Sequence, residues 1–282
     1  MSRGVTSSRS VAVVVDYFAG DVLRNCVHTL QREGPRAIVV VDNSTEGATA
    51  STLTGSDVTV VETMHNLGYG RAMNRGVAFA PPSEFLILSN PDIEVHEGAL
   101  ASLEKYLDEH PDVALVGPTI VDSNNELYPS VRVFPNIFLA SLHAVCAPWW
   151  PNNPFTRRYR RPRRDGRIDW VSGAFFMVRR NVLQEVGGFD ERYFMFAEDM
   201  DLCWRIAAAG HQIGFDPDAV VTHIEGVSRK RVPQMMIRAH HISAMRFEWR
   251  TARGLRRVLA PVAIFVLGLR YVLVSGLSRV RS

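Results

Sequence analysis

The chain has little cysteine. Cys26, Cys146 and Cys203 lie far apart and form no CxxC pair. A disulfide scaffold and a cysteine zinc site are therefore not expected, and reduced cytosolic thiols fit best. Met1–Ser10 is polar and lacks the apolar core of a secretory signal. No internal repeat and no long flexible linker is visible. Charge of one sign is also scarce overall, since 32 basic against 29 acidic residues leave a net +3 in 282 residues. With 46% apolar and 22% charged residues, disorder, collagen and a polytopic membrane protein are excluded.

The near-balance hides an asymmetry. From Arg229 onward 12 basic residues face one acidic residue, Glu248, while residues 1–228 are acidic overall. An acidic body argues against general affinity for nucleic acid, and no nucleic-acid motif is present. The basic tail suits a membrane surface or a phosphorylated ligand. Long apolar runs are limited to Val258–Leu277, flanked by Arg253, Arg256, Arg257, Arg279 and Arg281. A packed core helix and a helix lying in a membrane interface both fit it. Pro261 and Arg270 argue against a span.

Short β-branched runs punctuate the first half: Val11–Val15, Ala37–Val41, Val58–Glu62, Phe85–Leu88 and Val113–Gly117. Helical patterns fall between them at Asp21–Arg32, Arg71–Ala80 and Gly98–His110. This alternation predicts an α/β fold with a mostly parallel sheet covered on both faces. Trp170–Arg179 reads as one strand, Asp199–Ala209 as a helix stopped by Gly210, Ala219–His223 as a strand and Pro233–Thr251 as a helix. Ligands of parallel sheets bind at the carboxyl ends of strands. Asp16, Asp42, Asn43, Asn90 and Asp92 cluster there.

Four segments carry candidate chemistry. Asp42-Asn43-Ser44 can bond a base edge or a ribose, and is equally ordinary turn chemistry. In Asn66-Leu67-Gly68-Tyr69-Gly70 the glycines allow close backbone approach ahead of a helix, although the spacing is not that of a dinucleotide fingerprint. Ser89-Asn90-Pro91-Asp92 offers hard oxygen to Mg²⁺ or Mn²⁺, or a helix-capping turn. Glu198-Asp199-Met200-Asp201 places three carboxylates at a helix start. The helix dipole favours them there and would keep Asp199 ionised, as a general base requires. His223, at a strand end, is a candidate metal ligand.

In order along the chain, VVVDY, VVVDNS, NLGYGRAMNRG, LILSNPD, WVSGAFFMVRR, GGFDERYFMFAEDMDLCWR and VVTHIEG resemble the family 2 glycosyltransferases, with their GT-A fold. NPD in place of DxD, with GGFDERYF and EDMDL, looks like the rhamnosyltransferase branch. Tyr128-Pro129-Ser130-Val131-Arg132 is similar to its actinobacterial cell-wall members. The resemblance implies a GT-A catalytic domain over residues 1–228, with a nucleotide half (1–120) and an acceptor half (121–228), and a basic helical extension over 229–282. It implies that Asp16, Asp42, Asn66, Gly68 and Asn90 line the donor nucleotide. Asp92 and His223 would hold Mg²⁺ or Mn²⁺, and Asp199 would be the base. Trp170, Ser172, Gly173 and Glu198 would line the acceptor. The implied donor is dTDP-L-rhamnose, and the implied acceptor is a polyprenyl-diphosphate-linked N-acetylglucosamine. The enzyme would sit in the cytoplasm, peripheral on the anionic inner face of the membrane, through the tail and the arginines between Arg157 and Arg167. A homo-oligomer is compatible with this reading. Another donor or acceptor on the same scaffold, or a silent nucleotide-sugar-binding protein, are the alternatives. Two residues depart from the family pattern: Asn90 replaces the first acid of DxD, and Asp16 stands where a threonine is common.

Overall fold

Strand β1 (Ser10–Asp16) lies between β2 (Ala37–Asp42) and β4 (Phe85–Ser89), parallel to both, and β3 (Thr59–Glu62) extends the parallel half beyond β2. The computed structural model describes residues 9–45, 47–134, 146, 150–160, 168–224 and 233–254, with scattered positions between 257 and 268. Most of the arginine-rich segment and most of Val258–Leu277 lie outside these residues. Among the described residues no helix is long and apolar enough to cross a membrane.

The connecting helices are α1 (Asp21–Glu33), the short α2 (Ala48–Thr52), α3 (Tyr69–Phe79) and α4 (Ala99–Glu109). Successive side chains of a strand point to opposite faces, and here both faces are covered. Ala12 and Val14 pack with Leu23, Val27 and Leu103 on one side. Val11, Val13 and Val15 pack with Met73, Phe189 and Leu202 on the other. Each of these buried Val and Leu side chains contributes about 1.5–3 kcal/mol. Gly76 lets α3 lie flush on the sheet, because a Cβ there would stand 2.4 Å from Val13 Cγ1.

The second half departs from a mostly parallel sheet. The order is β3-β2-β1-β4-β10-β6-β11-β5, where β5 is Ile93–Val95, β6 Val113–Val121, β10 Phe175–Arg179 and β11 Gln212–His223. Strand β10 runs antiparallel to both β4 and β6, and β5 runs antiparallel to β11. A further strand, β7 (Leu127–Tyr128), hangs on β6. The sheet is therefore mixed. Val113–Gly117 continues to Val121, and Ala219–His223 is the end of the longer β11.

Trp170–Arg179 is two strands rather than one. The first, β9 (Trp170–Val171), leaves the main sheet and pairs with β8 (Val131–Arg132), and only Phe175–Arg179 belongs to the main sheet. The break at Ser172–Ala174 is the hinge of the site described below. Helix α5 (Pro154–Arg160) precedes β9. Helix α6 (Arg180–Glu185) follows β10, α7 (Glu198–Ala208) precedes β11, and α8 (Pro233–Thr251) follows it. Gly210, at φ +98°, ends the α7 segment as expected of a left-handed stop.

Candidate active site

The antiparallel register of β5 and β11 sets His223 opposite Ile93, directly after Asp92. Asp92 Oδ1 and His223 Nε2 are 3.2 Å apart, with side chains 13% and 5% exposed. The contact is not aligned as a hydrogen bond, and among the described residues Asp92 Oδ1 and His223 Nδ1 are both buried without a hydrogen-bond partner. Orphaned buried polar atoms are costly and call for a partner. A carboxylate oxygen beside an imidazole nitrogen suits a divalent cation. Among the described residues no third His, Cys, Asp or Glu joins them, so water or ligand oxygens would complete the coordination.

The Asp92 turn is tied to the second carboxylate centre through Ser172–Ala174. The Asn90 N–H donates to the Ala174 carbonyl at 2.8 Å. One residue earlier, the Gly173 N–H donates to Asp199 Oδ2 at 2.8 Å. The Tyr69 hydroxyl, from the first turn of α3, donates to the Gly173 carbonyl at 2.8 Å. Burial drives the Tyr69 phenol well above its ordinary range, and Glu198, Asp199 and Asp92 push it the same way. One hydroxyl thus feels the charges of both carboxylate centres, which flank the same three-residue segment.

Asp199 lies in the first turn of α7. Before it, Phe196 (φ 68°) and Ala197 (φ 61°) are in the left-handed region, at about 1–2 kcal/mol for each residue bearing a Cβ. Neighbours hold this turn: Phe194 O accepts from Tyr69 N–H at 3.0 Å, and Met195 O from the Ser243 hydroxyl of α8 at 2.8 Å. Burial raises the Asp199 carboxyl above its ordinary value. The N–H groups of Gly173 and Met200, and the charge of Arg132, oppose this rise without cancelling it. Glu198 is pushed up to about 8, by burial first and then by Asp199, and among the described residues its Oε2 has no hydrogen-bond partner. Burial raises both carboxyls, and Asp199 alone of the two receives the N–H groups of Gly173 and Met200, which favour its ionised form. Asp201, the third acid of the cluster, is fully buried elsewhere, against Arg205 Nε at 2.7 Å and Arg250 Nε at 3.4 Å.

At the ends of β1 and β2, Asp16 and Asp42 organise their own loops. Asp16 accepts from Ala19 N–H at 3.0 Å and from the Thr49 hydroxyl at 2.6 Å. Asp42 accepts from the N–H groups of Ser44 and Thr49 at 3.0 and 3.1 Å. Burial raises Asp16. In Asp42 burial is outweighed by the hydrogen bonds from Ser44 and Thr49, and its carboxyl is lowered. Asn66 Oδ1 accepts from Gly68 N–H at 2.9 Å and Asn43 Nδ2 at 3.2 Å, clipping the glycine segment to β2. Gly68, at φ +82°, faces the Phe194 carbonyl, which a Cβ would meet at 2.2 Å. Its close approach is to the protein's own backbone.

On the far side, Trp170 is buried and its indole N–H donates to Val133 O at 3.2 Å. Ser172 bonds through its backbone N–H to Ser130 O at 2.8 Å. The Arg132 guanidinium lies over the Trp170 ring, 5.2 Å from its centroid. Arg132, Tyr69 and Thr49 are the residues that reading the sequence missed as site residues. Tyr69 and Arg132 lie inside motifs whose signal comes from their neighbours, whereas Thr49 has no local signal.

Residues 9–240 match the family model "Glycosyltransferase like family 2". The chain is 35% identical, over 83% of its length and 82% of the relative's, to the N-acetylglucosaminyl-diphospho-decaprenol L-rhamnosyltransferase of Mycobacterium tuberculosis. It is 25% identical to the rhamnosyltransferase WbbL of Escherichia coli, over 64% of this chain and 69% of that protein. Among solved structures, it resembles the mannosyltransferase PcManGT of Pyrobaculum calidifontis in complex with GDP-Man and Mn²⁺. The TM-score is 0.60 at 18% identity, covering 94% of this chain and 74% of that one. The fold is that of the GT-A enzymes, and the chain belongs to glycosyltransferase family 2.

Proposed function

We propose that the protein is an inverting rhamnosyltransferase, moving L-rhamnose from dTDP-L-rhamnose to a polyprenyl-diphosphate-linked N-acetylglucosamine. The observation that carries the chemistry is the pairing of Asp92–His223 and Asp199 on either side of Ser172–Ala174. The Mycobacterium tuberculosis relative supports the choice of sugar and acceptor. Asp16, Asp42, Asn66, Gly68 and Asn90 border the donor nucleotide. Trp170, Ser172, Gly173 and Glu198 border the acceptor.

Asp199 accepts the proton of the attacking acceptor hydroxyl, its carboxylate held by the N–H groups of Gly173 and Met200. The hydroxyl oxygen forms a bond to the anomeric carbon as the bond to the diphosphate breaks on the opposite face. Configuration inverts, and dTDP leaves with the electron pair. Glu198, driven towards its neutral form, can donate a hydrogen bond to an acceptor oxygen. Asp92 and His223 would hold Mg²⁺ or Mn²⁺, which when bound neutralises charge developing on the departing diphosphate. The basic residues from Arg229 onward, with exposed Trp249, Val258 and Phe265, support docking on an anionic inner leaflet.

The test is transfer from radiolabelled dTDP-rhamnose to a short-chain prenyl-diphospho-GlcNAc, beside UDP- and GDP-sugar donors. Transfer by the wild type, lost in Asp199→Asn while dTDP still binds, is the expected result. Preference for another donor, or wild-type turnover by Asp199→Asn, overturns the sugar assignment or the base assignment respectively.

A further inference from the structure

The mechanism leaves one charged group beside the base without a task. Arg132 ends β8, in register with Trp170 of β9. Its Nε donates to Pro129 O at 3.0 Å, and its guanidinium carbon stands 5.2 Å from the centroid of the Trp170 ring. The ring is itself fixed by the bond from its indole N–H to Val133 O. The guanidinium is thus anchored at one edge and along one face. Among the described residues it forms no ion pair with a carboxylate. Its strand partner Trp170 leads directly into Ser172, bonded to Ser130 O, and Gly173, bonded to Asp199, which sets Arg132 beside the proposed acceptor border.

An oriented guanidinium whose Nη donors meet no hydrogen-bond acceptor among the described residues matches a phosphate oxygen pair, which it can grip through two parallel N–H···O bonds. In the proposed acceptor the sugar carries its diphosphate one ring away from the hydroxyl that Asp199 deprotonates. We propose that Arg132, shelved on Trp170, binds the phosphate attached to the acceptor sugar and so selects diphosphate-linked acceptors over uncharged ones. This assignment rests on the reaction proposed above. In it the Trp170 ring, on the acceptor border, serves as the support for the arginine.

The experiment compares kcat/KM for two acceptors sharing the same sugar, a short-chain prenyl-diphospho-GlcNAc and an uncharged alkyl GlcNAc glycoside. The proteins are the wild type, Arg132→Gln and Arg132→Lys. Any cost of losing positive charge near Asp199 falls on both acceptors and cancels in the ratio. The wild-type preference for the diphosphate acceptor should shrink about 10- to 100-fold in Arg132→Gln, the worth of one charge-assisted contact. Arg132→Lys should keep part of it, because Lys retains the charge but not the fork. Affinity for dTDP should be unchanged. Equal loss on both acceptors, an unaltered ratio, or weakened dTDP binding would each overturn the assignment. Failure of the wild type to use either acceptor overturns the reaction itself, and the anchor with it.

Discussion

Gly173 and Asp199 are fitted to each other at atomic contact. The Gly173 N–H donates to Asp199 Oδ2 at 2.8 Å, and a Cβ on Gly173 would stand 2.9 Å from Asp199 Cβ and 3.2 Å from Oδ2. Residue 173 must therefore be glycine for the carboxylate to stay where it is. Gly173→Ala should displace Asp199 and lower kcat about 100-fold or more, since misplacement by an ångström costs that much. Thermal stabilisation by dTDP should survive. Normal turnover in this variant would remove Asp199 from the base role.

Asp92 and His223 make a second prediction, with binding rather than turnover as its readout. If they hold the cation, dTDP should raise the thermal midpoint of the wild type more with Mn²⁺ than with chelator, because ligand bound only to the native state stabilises it. Asp92→Asn and His223→Ala should each remove most of this Mn²⁺-dependent increment. An increment of wild-type size in both variants would place the cation elsewhere.

Glu198 predicts a pH effect on stability. Its carboxyl rises from an ordinary 4.5 to about 8 in the folded protein, through burial and then through Asp199. Between those values the folded chain binds the proton that the unfolded chain has released, so stability contributed by this group falls as pH rises. It is fully present below about 4.5 and lost by about 8. Glu198→Gln, neutral at every pH, should unfold at a higher temperature than the wild type at pH 9, and the gap should narrow at pH 5. A gap independent of pH would mean that Glu198 is ionised in the folded state.

Helix α8 is clasped to the segment that leads into Asp199. Arg250 reaches Asp190 and Asp201, the Arg246 guanidinium lies 5.6 Å from the Tyr193 ring centroid, and Ser243 bonds to Met195 O. Asp201 is fully buried, so Arg250→Gln leaves it with Arg205 as its remaining cation. The expected destabilisation is about 1–3 kcal/mol, below that of a wholly orphaned buried charge. Urea unfolding measures it. A change within about 0.5 kcal/mol, as for an ordinary surface substitution, would make α8 a passive appendage.

The elements most legible in the sequence are those in which local pattern and burial agree. The β-branched runs of β1, β2 and β4 are buried on both faces, and they start within a residue of their expected positions. Trp170–Arg179 reads as one strand because Trp170-Val171 and Ala174–Val178 are both apolar, and periodicity cannot show that these two runs, parted at Ser172-Gly173, pair with different strands. Asp92 and His223 were each visible as candidates, but their meeting depends on the β5–β11 register, which no local signal encodes. Asp201 carried a readable clue: Arg205 lies four residues on, at helical salt-bridge spacing, which turns that acid away from Asp199.

Gly68 supplies the last prediction. It precedes α3 at φ +82°, a region costly to residues with a Cβ, and a Cβ there would meet Phe194 O at 2.2 Å and Phe194 C at 2.9 Å. These are backbone atoms of the segment that leads through Phe196 and Ala197 to Asp199, so no side-chain rotation relieves the clash. The adjacent bond, Tyr69 N–H to Phe194 O at 3.0 Å, would be pried open, and with it the seat of the Tyr69 hydroxyl on Gly173. Gly68→Ala should therefore lower kcat at least as much as Gly173→Ala and also depress stability by about 2 kcal/mol or more, through strain and overpacking together. Gly70→Ala is the control: it meets the Phe189 side chain at 3.0 Å and lacks the positive φ. If the two substitutions cost the same in urea unfolding and in turnover, the junction between the glycine segment and the Phe194 backbone does not position the base.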